Sequence, residues 1–393
     1  MEVKQIATLL NSVIAEQVGE EATLLTEDLS NVVDVGKSVF NATSFDKFTK
    51  ALVDRIGKVI FVDRKYEGVA PSVIYDGFEY GAVLEKIGSE IPEYTENETW
   101  DLQNGQSYDP NVFYGSNVYA KFFSKYVTFE IPLSIADKQA KSAFTSAQEL
   151  SRFVSMLLGK VEQAMSLAEE SLVMRTINGA IAETIYDDYG ANDIGASSHV
   201  KAINLLYLYN QTVQTPLTQA EALRDPEFIR FASVEIMKIA NRLKKVSTLF
   251  NVGGKKRFTP MKNLKIVLHS DFSSNAKAYL YSDTFHDEYV KLPKADEVPY
   301  WQGSGDDYAI ADTTAIDVKL PSDNTKEVKC DGVIGVMFDE ECLGVLNFER
   351  YTTSDYNGKA EFTNYWHKQK ACQFLDLNEN CVVFLCNDTT SGD

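Results

Sequence analysis

Apolar positions recur along this chain with two different periods, and the changes between them mark out five stretches. Over residues 3 to about 56, Val3, Ile6, Leu9 or Leu10, Val13 and Ile14 fall three and four apart, as do Phe45, Phe48, Leu52 and Ile56. That spacing places them on one helical face, so short helical pieces are expected, interrupted near Leu24 to Asp28 and at Gly36. They form either a small helical subdomain packed on its own body or an arm lying across a neighbouring subunit. Val59-Ile60-Phe61-Val62 then has strand texture, and Gly68, Pro71, Gly77, Gly81, Gly88, Pro92, Gly105, Pro110 and Gly115 punctuate the next stretch. The alternating runs Val118 to Phe122 and Tyr126 to Ile131 predict strands.

The clearest element comes next. From about Ser146 to Tyr186 there is no proline, and Leu150, Val154, Leu157, Val161, Ala164, Ala168 and Leu172 make one stripe. The pattern predicts a rod of roughly 60 Å, suited to a coiled-coil seam or to lying on a sheet; the β-rich flanks favour the sheet. Beyond Asp187-Asp188 the texture becomes α/β. Asp225-Pro226-Glu227 has the cap, the first-turn proline and the acid of a helix start. Ile229, Ala232, Ile236, Ile239, Leu243 and Val246 supply its buried face, and Leu264 to Leu268 is a strand leading into a helix capped near Asp271 or Ser273. From Asp317 onward the chain is mostly β, with its strongest strands at Gly332 to Phe338 and Cys381 to Cys386.

Charge changes the picture in one place. Between Glu79 and Asp101 stand seven acids (Glu79, Glu85, Glu90, Glu93, Glu96, Glu98, Asp101) and one base, Lys86. An acidic, glycine-broken segment between strand signals reads as an extended hairpin that buries little of itself and takes its stabilisation from another chain. Trp100 and Tyr108 are side chains of the kind that anchor interfaces. Candidate bases to face the acids Glu93, Glu96 and Glu98 are Arg64, Lys65, Lys138, Lys141 and Arg152.

The 393 residues carry 38 Lys and Arg against 57 Asp and Glu, a net charge of −19. That surplus argues against gripping a phosphate backbone as the main task. With 22 Phe and 20 Tyr, bulk disorder is excluded. No apolar run has transmembrane length, and the first residues lack a signal-peptide pattern. Five cysteines fit reduced thiols rather than a disulfide scaffold.

Candidate chemistry is thin. His367, Cys372, Cys381 and Cys386 are spaced unlike a zinc knuckle, so buried thiols are expected. Gly253-Gly254-Lys255-Lys256-Arg257 lacks the remainder of a phosphate loop and reads as a basic hairpin tip, open to nucleic acid or to an acidic neighbour. The acid groups Asp187-Asp188, Asp306-Asp307 and Asp339-Glu340-Glu341 read as solvated turns. No catalytic, metal or cofactor constellation is present in the sequence.

The order of segments resembles the major capsid proteins of tailed bacteriophages, which have the Hong Kong 97-type capsid fold. The resemblance covers most of the chain. It rests on Ile60 to Gly68, Glu98-Thr99-Trp100, Gly105 to Tyr108, Lys121 to Phe129, Leu172 to Asn178, Phe338-Asp339 ahead of Leu343-Gly344-Val345, Glu361 to Trp366 and Asn378 to Phe384. It implies an α+β subunit with an N-terminal arm and lead-in strand at 1–66 and an extended β-hairpin loop at 67–128. A peripheral domain would take 129–199 with a spine helix at about 146–186, an axial domain 200–335, and a return to the peripheral sheet 336–393. The function it implies is structural: hexamers and pentamers of one chain closing into an icosahedral shell around double-stranded phage DNA. A separate scaffolding protein, a portal and decoration proteins would be partners, with assembly in the host bacterial cytoplasm. An encapsulin-type protein compartment shares the fold and encloses protein cargo; an acidic hydrolase is the remaining alternative.

Overall fold

A computed structural model describes residues 3–18, 24–42, 70–76, 84–92, 117–123, 126–143, 145–190, 194–282, 294–302 and 313–388, with positions 51, 111, 113 and 115 besides. Two compact units divide them: unit 1 takes residues 1–79, 126–174 and 345–373, and unit 2 takes 80–125, 175–344 and 374–393.

Unit 1 opens with helices α1 (Val3–Val18) and α2 (Val32–Ala42). Ile6, Leu10, Val13 and Ile14 are buried as their spacing predicts. Asn11 ties the turn between the helices: its amide donates to the Leu25 carbonyl at 2.8 Å and its oxygen accepts from the Leu25 N–H at 2.7 Å. The expected helix around Phe45 to Ile56 and the strand at Val59 to Val62 lie outside the described residues, apart from position 51.

Strand β1 (Ile74–Asp76) comes next, then, after the unit 2 hairpin of β2 (Leu84–Ser89) and β3 (Val118–Phe123), strand β4 (Tyr126–Ala136) and the short helix α3 (Asp137–Ala143). Helix α4 (Ala147–Tyr189) runs 43 residues, about 65 Å at 1.5 Å per residue. Its buried row in unit 1 is Phe153, Leu157, Val161, Met165, Leu172 and Val173. Ala164 and Ala168, placed on the stripe by spacing, are only half-buried, because the larger Phe153 and Met165 take the i, i+4 row instead. From Thr176 to Ile185 the helix is buried on every side, so a single stripe describes only its earlier turns.

The unit 1 sheet has the order β1-β11-β12-β4, with β11 spanning Leu343–Asn357 and β12 Phe362–Leu375. β12 alternates along its length, burying Thr363, Tyr365, His367 and Gln369. This inner face is polar. Gln369 donates to the buried Glu169 of α4 at 2.6 Å, Asn347 donates to the same carboxylate at 3.2 Å, and Arg350 donates to the Gln369 oxygen at 3.0 Å. A buried carboxylate without such donors would cost several kcal/mol.

Unit 2 holds a five-stranded sheet, order β5-β13-β10-β6-β7. Its strands are β5 (Ala202–Asn204), β6 (Leu264–His269), β7 (Asp296–Val298), β10 (Val333–Asp339) and β13 (Cys381–Leu385). The central strands β10 and β13 are buried at every position, as continuous apolar runs covered on both faces should be. Against them pack α5 (Leu205–Asn210), α6 (Gln219–Ala222), α7 (Pro226–Arg242) and α8 (Ser270–Ser282). Asp225 caps α7, accepting from the Phe228 N–H at 2.8 Å. Gly332 has φ +69°, and a Cβ there would strike the Cys386 carbonyl. A small ribbon of β8 (Ile316–Lys319) and β9 (Glu327–Cys330) completes the unit.

All five cysteines are free and buried. Two of the groups expected as solvated turns are not so. Asp188 accepts from the N–H groups of Lys201 and Ala202, both at 2.8 Å, and pairs with Lys201 Nζ at 2.9 Å. Asp339 is buried, and that burial raises its pKa.

Two substitutions test this packing. Val161→Asp, placing a carboxylate on the buried row of α4, should destabilise unit 1 by about 3 to 5 kcal/mol; a urea midpoint equal to wild type would show the row misassigned. His367 is buried beside Arg350, and burial first, then that cation, lowers its pKa to about 4. The folded chain keeps it neutral while the unfolded chain protonates it near its ordinary value of about 6.5. Its contribution is intact above that value and falls as pH drops toward 4, by roughly 3 kcal/mol in all. Urea melts at neutral and acid pH should show the loss, and His367→Gln should flatten it.

Candidate functional site

The β2–β3 ribbon is antiparallel, with Lys86 directly opposite Lys121 and Glu85 opposite Phe122. Side chains alternate between faces, so Lys86, Tyr119, Lys121 and Phe123 share one face while Glu85, Ile87, Val118, Ala120 and Phe122 share the other. The first face is engaged within unit 2. Two lysines across from each other repel, yet here both meet Asp376, whose side chain has no solvent exposure. Lys121 Nζ donates to Asp376 Oδ1 at 2.9 Å, and Lys86 Nζ lies 3.0 Å from Oδ2. Lys86 also donates to Glu379 Oε1 at 2.7 Å and stands 3.1 Å from Glu341.

Arg257 adds a third cation, with Nε donating to Glu379 Oε1 at 3.1 Å and its guanidinium bonded to the Tyr119 hydroxyl. Its carbon also lies 5.6 Å from the Tyr119 ring centre, within cation–π range. Beyond the ribbon, Lys255 pairs with Glu90. The loop carrying these bases is held close by glycine: the Gly253 N–H donates to the Leu377 carbonyl at 2.8 Å, and a Cβ on Gly253 would collide with Asn378. Gly254 follows at φ +62°, a left-handed conformation.

The electrostatics are mutual. Burial opposes ionisation of Asp376, but Lys121 and Lys86 outweigh it and hold its pKa below the usual carboxylate range. Burial likewise opposes the charge on Lys86, and Glu379 and Asp376 more than restore it, raising its pKa. The hydrogen bond from Lys255 lowers the pKa of Glu90. This is a charged latch that fastens one face of a ribbon to its own subunit. It holds no nucleophile beside a base, and among the described residues no group of three or more His, Cys, Asp or Glu could hold a metal.

The residues expected from sequence fall around this latch unevenly. Glu93, Glu96, Glu98, Trp100, Tyr108, Arg64 and Lys65 lie outside the described residues. Lys138 is exposed at the start of α3, and Lys141 belongs to the same helix, its side chain outside the described set. Arg152 is exposed on α4 and pairs with Glu149 at 3.1 Å. The Lys255 loop, read as open to nucleic acid or to an acidic neighbour, meets acids of its own chain. The acidic segment therefore finds part of its partners at home: Glu90 on Lys255, and its one base, Lys86, on Asp376, Glu379 and Glu341. Sequence reasoning missed Asp376 and Glu379, whose only signal was an acidic turn, Asp376-Leu377-Asn378-Glu379, ahead of the last strong strand.

Comparison with known proteins places this arrangement. The family model described as "Phi29-like phage major capsid protein" matches residues 10–385, and the chain belongs to that family. Its function is accordingly that of a structural capsid-shell protein, not an enzyme. Family membership and the order of elements bear out the expected α+β phage capsid subunit of Hong Kong 97 type. No curated protein matches the chain. Among solved structures, a chain from the capsid of Staphylococcus phage Andhra is similar at 10% identity and TM-score 0.48, over 82% of this chain and 84% of that one. A chain from the structure of the head fiber and inner core protein gp22 of native bacteriophage P68 is similar at 9% identity and TM-score 0.49, over 83% and 86%. The capsid of Cyanophage P-SCSP1u gives 12% identity and TM-score 0.43, over 82% and 88%. Among the described residues, no helix is long and apolar enough to cross a membrane.

Removing Asp376 leaves Lys86 and Lys121 facing each other across the ribbon. Asp376→Asn should cost roughly 2 to 4 kcal/mol, and adding Lys121→Met should return part of it in a double-mutant cycle read by urea melts. Because the folded pKa of Asp376 is depressed, the latch is intact above the ordinary carboxylate range and is lost as pH falls through the lowered value. Equal stability of wild type and Asp376→Asn at neutral pH would remove the latch from the account.

Proposed function

We propose that the chain assembles into the hexamers and pentamers of an icosahedral shell enclosing double-stranded phage DNA, and that the β2–β3 ribbon begins an extended loop reaching a neighbouring subunit. The observation that carries the loop reading is the asymmetry of the ribbon. One face is latched to its own unit, and the other presents Ile87, Val118 and Phe122 at 67, 65 and 61% exposure. Exposed apolar side chains in a row on a sheet face mark an interaction surface. A shell supplies the partner, because every subunit is surrounded by copies.

In this reading the acids Glu93, Glu96 and Glu98, with Trp100 and Tyr108, continue the contact outward, toward bases such as Arg64, Lys65, Lys138, Lys141 and Arg152 of the neighbour. Each exposed pair contributes about 0.2 to 1 kcal/mol, repeated in every subunit. A separate scaffolding protein guides closure in the host cytoplasm, and portal and decoration proteins join the same shell. Net charge of −19 suits a container: weak attraction to the packaged DNA eases entry and release.

Electron microscopy and solution mass of the expressed chain, with scaffold, test the reading: closed shells or capsomer rings are expected, and a compact stable monomer would count against it. Phe122→Asp should leave the subunit folded, since the side chain is exposed, while assembly followed by light scattering is lost or slowed at least about tenfold. Unchanged assembly of Phe122→Asp and of the Glu93, Glu96, Glu98→Gln triple variant would confine the loop to a role within its own subunit.

A further inference from the structure

The connection from the end of α7 into β6 differs from the rest of the molecule in charge. Residues 242–265 hold eight bases (Arg242, Lys244, Lys245, Lys255, Lys256, Arg257, Lys262 and Lys265) and no acid. Taking those eight from a chain of net charge −19 leaves −27 on the remainder. The backbone doubles back on itself here. The Thr259 N–H donates to the Leu243 carbonyl at 2.7 Å, and Ser247 and Arg257 exchange two hydrogen bonds of 2.9 Å. Val246 and Phe258 thereby stand opposite each other.

Four large apolar side chains of this run face solvent: Val246, Leu249, Phe258 and Met261, between 45 and 59% exposed. Lys255, Arg257 and Lys265 are engaged inside the unit, by Glu90, Glu379 and Glu340. Arg242, Lys244, Lys245 and Lys262 are exposed, and none is ion-paired among the described residues; Lys244 donates to Asn241 at 2.7 Å.

A basic run alone would be a solvated surface. Its interleaving with exposed Phe, Leu, Val and Met makes it an interface, because aromatic and Met side chains are enriched where proteins meet, whereas a phosphate backbone is gripped by charge. We propose that this basic and apolar patch is a contact face between copies of the chain, docking on an acidic surface of its neighbour. The inference rests on the shell reading. Two facts select a copy as the occupant. The shell role packs copies against one another, and each copy carries −27 outside the patch. Two such patches brought face to face repel, so the contact joins unlike surfaces. Heterologous contacts of that kind close into rings rather than stopping at pairs.

Two measurements on the full chain test it. Replacing Phe258 by a photo-cross-linkable phenylalanine analogue in assembled particles should give covalent dimers at twice 44.0 kDa. Lys244→Glu with Lys245→Glu, folding checked by circular dichroism, should slow assembly at least about tenfold and weaken its dependence on salt. Wild-type shells together with an unchanged assembly rate in the charge-reversed chain would overturn the patch and leave the shell reading standing. Cross-links from position 258 only to nucleic acid, or none at all, would do the same and assign the patch to DNA or to solvent. If the charge-reversed chain fails to fold, the cross-link, which leaves every charge in place, decides. A wild type forming neither rings nor shells under assembly conditions with scaffold would overturn both.

Discussion

A ribbon of two strands has no interior, so its direction is set by whatever its inner face touches. In β2 and β3 that face offers Lys86 and Lys121 directly opposite one another, a pairing that would part the strands in isolation. Asp376, fully enclosed between them, turns the repulsion into a bridge, and Glu379, shared by Lys86 and Arg257, extends it. The same charges fix register. Sliding one strand by a single residue would carry its lysine outward and swing an apolar neighbour, Ile87 or Phe122, onto buried carboxylates. The exposed apolar face is therefore a consequence of the latch: with a period of two, fastening one face commits the other to solvent until a partner covers it.

Unit 1 uses a buried polar group to similar effect. The row on α4 made of Phe153, Leu157, Val161 and Met165 could pack on a sheet in several registers, because apolar contacts are undirected. Glu169 comes next on that row, and only one placement lets Gln369 and Asn347 both donate to it. Such a group adds little net stability compared with an apolar side chain of its size. Its effect is to raise the cost of alternatives, which would leave a carboxylate buried without donors.

Much of this was legible in the sequence wherever the information is local. The long helix followed from an unbroken period of three and four, α7 from Asp225-Pro226-Glu227, and β6, β10 and β13 from their apolar runs. Position within the helix was read less well, because Ala164 and Ala168 satisfy the period while Phe153 and Met165 have the bulk to fill the space. The latch was invisible for a different reason. Lys86 and Glu379 are 293 residues apart and Lys121 and Asp376 are 255 apart, and nothing local marks an acid as destined for a distant cation. Asp188 and Asp339 were misread in the same way: an acid beside a turn looks solvated until the fold brings donors or apolar neighbours to it. Charge imbalance was readable as a total, but its distribution among partners within the chain depended on tertiary structure.

That distribution bears on how a strongly acidic subunit can associate at all. Like surfaces repel over about 8 Å at physiological ionic strength, which disfavours most random encounters between copies. A concentrated basic patch relieves the repulsion in one orientation, so the charge pattern selects geometry as much as it supplies affinity. The latch acts on the other side of the balance. Because the base of the ribbon is ordered by its own subunit, docking does not have to bear the full conformational cost of arranging it, and a modest contact can suffice. Modest contacts suit a closed shell: each remains individually reversible, so a misplaced subunit can leave, while the many contacts around a correctly placed one hold it.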